Sequence, residues 1–262
     1  MDTIPDFDPE DTAKKITHFI RSYAKQSGTK GVVIGMSGGI DSTLTTYLAV
    51  KALGRENVLG VIMPEKSLTP AQDVLDATEV GDILRIEYSV VEIANILDSF
   101  LYSIPEVVDS EIMATGNLKA RIRMSILYYY ANIMSRMVVG TSNRTELLLG
   151  YFTKFGDGGV DIEPIGNLYK TQVRKMADYL KVPKHIIDKP PSAGLWAGQT
   201  DEDELGLSYE LIDNVFSELL DKNASKEYVI NRYGIEEKVI NSLLKRIENN
   251  RHKSKMAPIA PK

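Results

Sequence analysis

The apolar run Gly31-Val32-Val33-Ile34-Gly35-Met36 leads straight into Ser37-Gly38-Gly39-Ile40-Asp41-Ser42, and a helical pattern continues to Leu53. An apolar run without alternation suits a strand buried on both faces, which belongs in a parallel sheet covered by helices. The two glycines let the backbone turn tightly and approach an anion with no Cβ in the way. Free N–H groups at the start of the next helix point at that anion, and the helix dipole favours it. Ser37 and Ser42 add hydroxyl donors. Asp41 would repel a phosphate directly, but it suits Mg²⁺, which bridges carboxylate and phosphate oxygens.

The same alternation continues along the chain. Residues 10–26 read as a helix, with Ile16, Phe19, Ile20 and Tyr23 at helical spacing. Strands are expected at 58–63, 83–88 and 137–140, with helices at 42–53, 70–80, 90–100 and about 109–136 between them. Strands alternating with helices make an α/β fold, a parallel sheet sandwiched by helices. After about residue 165 the pattern turns helical, over 169–180, 208–221, 225–232 and 235–248. With no repeat and no low-complexity linker, residues 1–262 are expected to form a single domain. Its sheet core would span about 28–165 and its helical part about 166–262.

The long helix carries two apolar stripes. Leu118, Ile122, Ile126, Tyr129, Ile133 and Met137 form one, and Met124, Leu127, Tyr128, Ala131 and Met134 the other. A helix apolar on two faces is buried on two faces. It is either central to one subunit or shared with a partner chain in a homodimer.

Lys and Arg number 31 against 36 Asp and Glu, a net charge of −5, which disfavours nucleic-acid binding but leaves room for a local basic pocket. No apolar run approaches the roughly 18 residues needed to span a bilayer, and Met1 to Asp6 lack the features of a signal peptide. No membrane association and a cytoplasmic location are the default expectations. The chain has no cysteine, hence no disulfide, thiolate metal site or cysteine nucleophile. His18, His185 and His252 are scattered without metal-ligand spacing.

Neither the Gly-x-x-x-x-Gly-Lys-Ser/Thr loop nor the Gly-x-Gly-x-x-Gly fingerprint is present. Ser-Gly-Gly-x-Asp-Ser instead resembles the pyrophosphate loop of the N-type ATP pyrophosphatases, which cleave ATP between the α and β phosphates. Later segments narrow the resemblance. Gly116-Asn117-Leu118-Lys119-Ala120-Arg121-Ile122-Arg123-Met124, Gly140-Thr141-Ser142-Asn143-Arg144-Thr145-Glu146 and Thr153-Lys154-Phe155-Gly156-Asp157-Gly158-Gly159-Val160-Asp161 resemble stretches of NAD synthetases, in the same order. So do Leu168-Tyr169-Lys170, Pro191-Ser192-Ala193-Gly194-Leu195-Trp196 and His252-Lys253. The resemblance spans about residues 10 to 255, and it is to the ammonia-dependent NAD(+) synthetases in particular.

The resemblance implies an adenine nucleotide alpha hydrolase-like, Rossmann-like fold and an ATP-dependent amidation of deamido-NAD by ammonia, giving NAD, AMP and pyrophosphate. It also implies roles. Gly35, Met36, Ser37, Gly38, Gly39, Ile40, Asp41 and Ser42 would hold ATP, with Thr141, Lys170 and Ser192. Asp41 and Glu146 would bind Mg²⁺. Arg121, Lys154, Asp161, His252 and Lys253 would bind deamido-NAD, and Asp41, Lys170 and Asp157 are the expected catalytic residues. The loop Pro64 to Pro70 departs from the bacterial pattern, so it is assigned no ATP contact. Residues 192–204, with Trp196, read as a lid over bound ligands.

Each residue also has a plainer reading when taken alone. Arg121 and Arg123 suit a solvated helix face, Glu146 a helix start, Lys154 and Asp161 a pair across a glycine turn, and His252 a charged tail. Glutamine-using relatives carry a glutaminase domain with a cysteine nucleophile. The length and the lack of cysteine imply no such domain here, so ammonia would come from solution or from a separate glutaminase. Two rival functions are another amide ligase of the same loop class, such as a GMP synthetase, and a non-catalytic adenine-nucleotide sensor.

Overall fold

The computed structural model describes residues 7–66, 68–105, 112–192, 194 and 201–260. Four short strands, β1 (Val32–Gly35), β2 (Val58–Ile62), β3 (Glu87–Val90) and β4 (Met137–Val139), form one sheet in the order β3-β2-β1-β4. Every pairing is parallel, with Val33 opposite Leu59 on one side and Val138 on the other. The chain at Ile162 runs parallel beside Val139 and extends this edge.

Because side chains alternate across a strand, the unbroken apolar runs divide between two cores. Val32, Ile34, Val58, Ile62 and Val139 pack under α1 (Pro9–Ser27), α2 (Ile40–Leu53), α3 (Ala71–Leu84) and α7 (Lys170–Tyr179), which contribute Ile20, Leu44, Leu48, Val80 and Met176. Val33, Leu59, Val61 and Val138 face α5 (Ile112–Met134) through Ala131, Leu127 and Tyr128. α4 (Ala94–Tyr102) packs on α5 through Leu97 and Ile122.

A second, all-helical core lies beside the sheet. α6 (Arg144–Leu149), α10 (Tyr209–Phe216), α11 (Lys226–Tyr233) and α12 (Glu237–Asn250) enclose Leu149, Tyr169, Ile212, Phe216, Val229 and Ile240. The two short helices α8 (Lys184–Ile187) and α9 (Asp201–Leu205), 3₁₀ turns at Arg55–Asn57 and Arg251–Ser254 and a π-helical turn at Ser217–Asp221 complete the described elements. Among the described residues no helix is long and apolar enough to cross a membrane.

One strand differs from its sequence expectation. The expected strand at 83–88 is displaced, because α3 continues to Leu84 and Arg85 closes it in a left-handed conformation with φ 53°. Ile83 lies on the exposed outer side of that helix, and β3 begins only at Glu87. A short apolar run does not separate a strand from a helix end. On α5, Ile122 and Ala131 are buried, but Tyr129 and Ile133 are 65% and 62% exposed.

Strand order places the site. From β1 the chain moves one way to β2 and β3, and β4 then adds on β1's other side. The carboxyl ends of β1 and β4 therefore flank a switch point, where open α/β sheets form a ligand crevice.

Candidate active site

The turn after β1 is held by two serines. Ser42 Oγ accepts the Ser37 N–H at 3.2 Å, lies 3.1 Å from Ser37 Oγ and donates to the Gly39 carbonyl at 3.0 Å. Gly38 takes φ +77°, and a Cβ there would sit 2.2 Å from the Asp73 carbonyl oxygen, so only glycine fits. Gly39 is the N-cap of α2 and supplies no side-chain acceptor, which leaves the helix start open to an anion.

Asp41 lies in the first turn of α2, and its two oxygens reach different elements. Oδ2 accepts from Lys170 Nζ at 2.5 Å, and Oδ1 from Asn143 Nδ2 at 2.9 Å. Lys170 Nζ also donates to Glu146 Oε1 at 3.2 Å. Asn143 and Glu146 form the capping box that starts α6, each side chain accepting the other's backbone N–H. The Lys170 side chain is 3% exposed and lies 5.1 Å from the centre of the Tyr209 ring. Burial alone would lower the Lys170 pKa, but Asp41 and Glu146 outweigh it and raise the value. Burial raises the Glu146 pKa, and Asp41 adds to the effect against the opposing pull of Lys170. Asp201, also raised by burial, adds further negative charge nearby and accepts the Tyr209 and Tyr151 hydroxyls at 2.9 and 3.1 Å.

One ammonium is thus bonded to two carboxylates, with Asp201 acting on it at longer range, and all three offer hard oxygen donors. Carboxylate oxygens of this kind suit Mg²⁺, and Asp41 and Glu146 are the two that could hold it.

A second feature adjoins this cluster across α6. Glu146 faces the lysine, while Leu147 and Leu148 line an open cavity of about 690 Å³ together with Lys154, Asp161, Glu163 and Lys253. Asp161 accepts the Tyr128 hydroxyl at 3.0 Å and the Val138 N–H at 2.7 Å. Lys154 Nζ donates to the His252 carbonyl at 2.9 Å, and Arg121 Nη2 to the Lys154 carbonyl at 3.4 Å. Lys253 Nζ donates to the Gly150 and Phe152 carbonyls at 2.7 and 3.1 Å. Asp157 accepts the Thr153 N–H at 2.9 Å, and burial raises its pKa.

The glycine turn, the carboxylate pair around a buried lysine and, on the other side of α6, a cavity with lysines in its lining thus follow one another across the molecule. The family model described as NAD synthase matches residues 12–257. The chain belongs to the NAD synthase family. An NH(3)-dependent NAD(+) synthetase from Methanosarcina mazei is 51% identical over 252 residues, covering 96% of this chain and 98% of that one. Among solved structures, an NMN synthetase from Francisella tularensis is similar with TM-score 0.86 and 38% identity, covering 97% of this chain and 99% of that one. An NH3-dependent NAD synthetase from Campylobacter jejuni follows with TM-score 0.82 and 34% identity, covering 98% and 100%.

Of the residues that the NAD synthase resemblance singled out, Asp41, Glu146 and Lys170 converge on one point, and Arg121, Lys154 and His252 form one bonded chain. His252 enters through its carbonyl rather than its imidazole. Thr141 is half-buried in the turn after β4, and Ser192 is exposed, accepting the Gly194 N–H at 3.1 Å. Of the expected lid, Ala193 and residues 195–200 with Trp196 lie outside the described residues, and Asp201–Leu205 are helical.

Several organising residues escaped the sequence reading. Asn143 carried a signal, since Asn-x-x-Glu marks a capping box. Asp213 carried none. Buried in α10, it accepts the Thr145 hydroxyl at 2.5 Å and the Thr171 N–H and hydroxyl at 2.8 Å, and so ties the starts of α6 and α7 together.

Glu163 was also missed. Its Oε2 accepts the Ser142 N–H at 3.1 Å, and burial pushes its carboxyl up to about 8 from 4.5. Between those values the folded chain keeps a proton that the unfolded chain has released. The resulting stability is full below 4.5 and is lost as pH rises through about 8. Glu163→Gln should therefore lose less thermal stability than wild type between about pH 5 and about pH 9. Parallel melting curves for the two proteins across that range would show that Glu163 does not titrate this way.

Proposed function

We propose that the chain joins ammonia to the nicotinate carboxylate of deamido-NAD at the expense of ATP, releasing NAD, AMP and pyrophosphate. The observation that carries this reading is the Asp41–Lys170–Glu146 cluster, set between an uncapped glycine loop and a cavity lined by Lys154, Asp161 and Lys253.

A carboxylate resists ammonia because its carbon is electron-rich and its leaving group would be oxide. Transfer of AMP to one carboxylate oxygen, with loss of pyrophosphate, gives a mixed anhydride. Ammonia then adds to the acyl carbon, and AMP departs with that oxygen. The residues of this chain serve the first step by position and charge. The N–H groups at the start of α2 and the Ser37 and Ser42 hydroxyls face the polyphosphate, and Lys170 stabilises charge as pyrophosphate leaves. Mg²⁺ bound at Asp41 and Glu146 would supply neutralisation of the polyphosphate charge. On the acceptor side, Lys154 and Lys253 offer cationic partners to the dinucleotide phosphates, with Arg121, Asp161 and His252 in support. Asp157 and the ATP contacts of Thr141 and Ser192 belong to the same proposal. No side-chain nucleophile is needed, and the chain has no cysteine to release ammonia from glutamine.

The relatives named above are all NAD or NMN synthetases, which does not favour a GMP synthetase-like ligase or a nucleotide sensor. The name of the Francisella tularensis neighbour does favour one second reading, with a mononucleotide acceptor in place of the dinucleotide. Incubation with ATP, Mg²⁺, ammonium and each acceptor should give amidated product, AMP and pyrophosphate in equal amounts, faster with the dinucleotide. A higher kcat/KM for the mononucleotide would replace the first reading by the second.

Asp41→Asn should lower kcat of the folded protein by about 10²–10³, the range for one preorganised electrostatic contact. Lys154→Ala should raise KM for the acceptor more than KM for ATP, and the reverse order would mean the two pockets are exchanged. The exposed Tyr129 and Ile133 on α5 support a homodimer through that face. A single-chain mass in sedimentation at micromolar concentration would remove it.

A further inference from the structure

Lys189 follows α8 and was singled out by no sequence motif. Its ammonium donates to the Gly38 carbonyl at 3.0 Å, to Asp73 Oδ1 at 2.9 Å and, at short range, to Asp76 Oδ2. Three donors thus meet three acceptors, and no N–H is left for a further ligand. Asp73 and Asp76 lie one turn apart on α3 and so face the same way. Asp76 is fully buried and also accepts Gln72 Nε2 at 2.7 Å, with His185 Nε2 3.5 Å away.

The consequence falls on a single peptide. In a trans peptide the C=O and N–H point in opposite directions. With the Gly38 carbonyl fixed on Lys189, the Gly39 N–H is turned to the other side, where it reaches Ser37 Oγ at 3.3 Å. Gly39 is also the N-cap residue of α2 and brings no side-chain cap, so this peptide leads directly into the free N–H groups of the helix start. Gly38 sits at φ +77°, and with no Cβ its peptide is free to rotate unless something holds it. A rotated peptide would aim a carbonyl oxygen, rather than an N–H, at the anion.

We propose that Lys189 is a positioning residue for the glycine loop: it holds the Gly38 carbonyl away from the polyphosphate site and braces it on Asp73 and Asp76, without touching phosphate itself. This rests on the reading that the loop holds the polyphosphate of ATP. Lys189 then governs nucleotide binding while the acceptor cavity is unaffected.

Replacing Lys189 alone would strand the buried Asp76 charge, so the test pairs Lys189→Met with Asp76→Asn. Binding of inorganic pyrophosphate and of ATP, each with Mg²⁺, is measured by calorimetry alongside KM for ATP and for the acceptor. The folded pair should bind both ligands about 10- to 100-fold more weakly, the loss expected for one charge-assisted hydrogen bond. KM for the acceptor should change by less than about threefold, well under the tenfold that 1.4 kcal/mol represents. A folded pair that binds like wild type would overturn the role of Lys189 alone. Wild type that binds neither ligand would overturn the functional reading as well. A second measurement needs no variant: in wild type labelled at lysine Cε, the Lys189 resonance should stay in place on saturation with Mg²⁺ and pyrophosphate. A shift of that resonance would make Lys189 a phosphate ligand and end the positioning role.

Discussion

The arrangement depends on one buried ammonium. Lys170 is 3% exposed and lies between carboxylates delivered by two other helices, Asp41 from α2 and Glu146 from α6. Breaking such a buried pair by removing one partner leaves an uncompensated charge and costs several kcal/mol. The surrounding structure serves to keep the three groups together. Asn143 holds the second oxygen of Asp41 while capping the helix that carries Glu146. Thr145 receives the Lys170 N–H, and Asp213 holds Thr145 in turn. The helical core around Phe216 and Ile240 places Asp213 and so bears on a site built at the edge of the sheet.

Lys189 does for the glycine loop what Asp213 does for the two helix starts. Both are buried or half-buried charges whose partners are already satisfied, and neither is free to meet a ligand. A preorganised site depends on such supports, because its donors must face the developing charge before the reaction starts. The cavity wall has its own supports, since the segment from Asp161 to Glu163 is bonded along β4 and to Ser142.

How much of this could be read in advance depended on the range of the interaction. The β1 turn was legible because an apolar run, two glycines and a helix start are contiguous, and the structure shows them in that order. β4 was legible for the same local reason. β3 was misplaced because Ile83 and Leu84 read equally well as a strand or as the last turn of α3, and only the left-handed Arg85 separates the two. The family resemblance brought Asp41, Glu146 and Lys170 into one list, although they are more than a hundred residues apart at the extremes. Nothing local announced Asp213, Lys189 or Glu163. Each acts through burial and long-range pairing, and a lone charged residue in sequence reads as surface.

In the proposed reaction ATP is spent to place AMP on an oxygen of the acceptor carboxylate. Turnover of deamido-NAD labelled with ¹⁸O in both carboxylate oxygens, in ordinary water, tests it directly by mass spectrometry of the released AMP and pyrophosphate. Each AMP formed should carry one ¹⁸O, and the pyrophosphate none. Unlabelled AMP alongside labelled phosphate or pyrophosphate would contradict it.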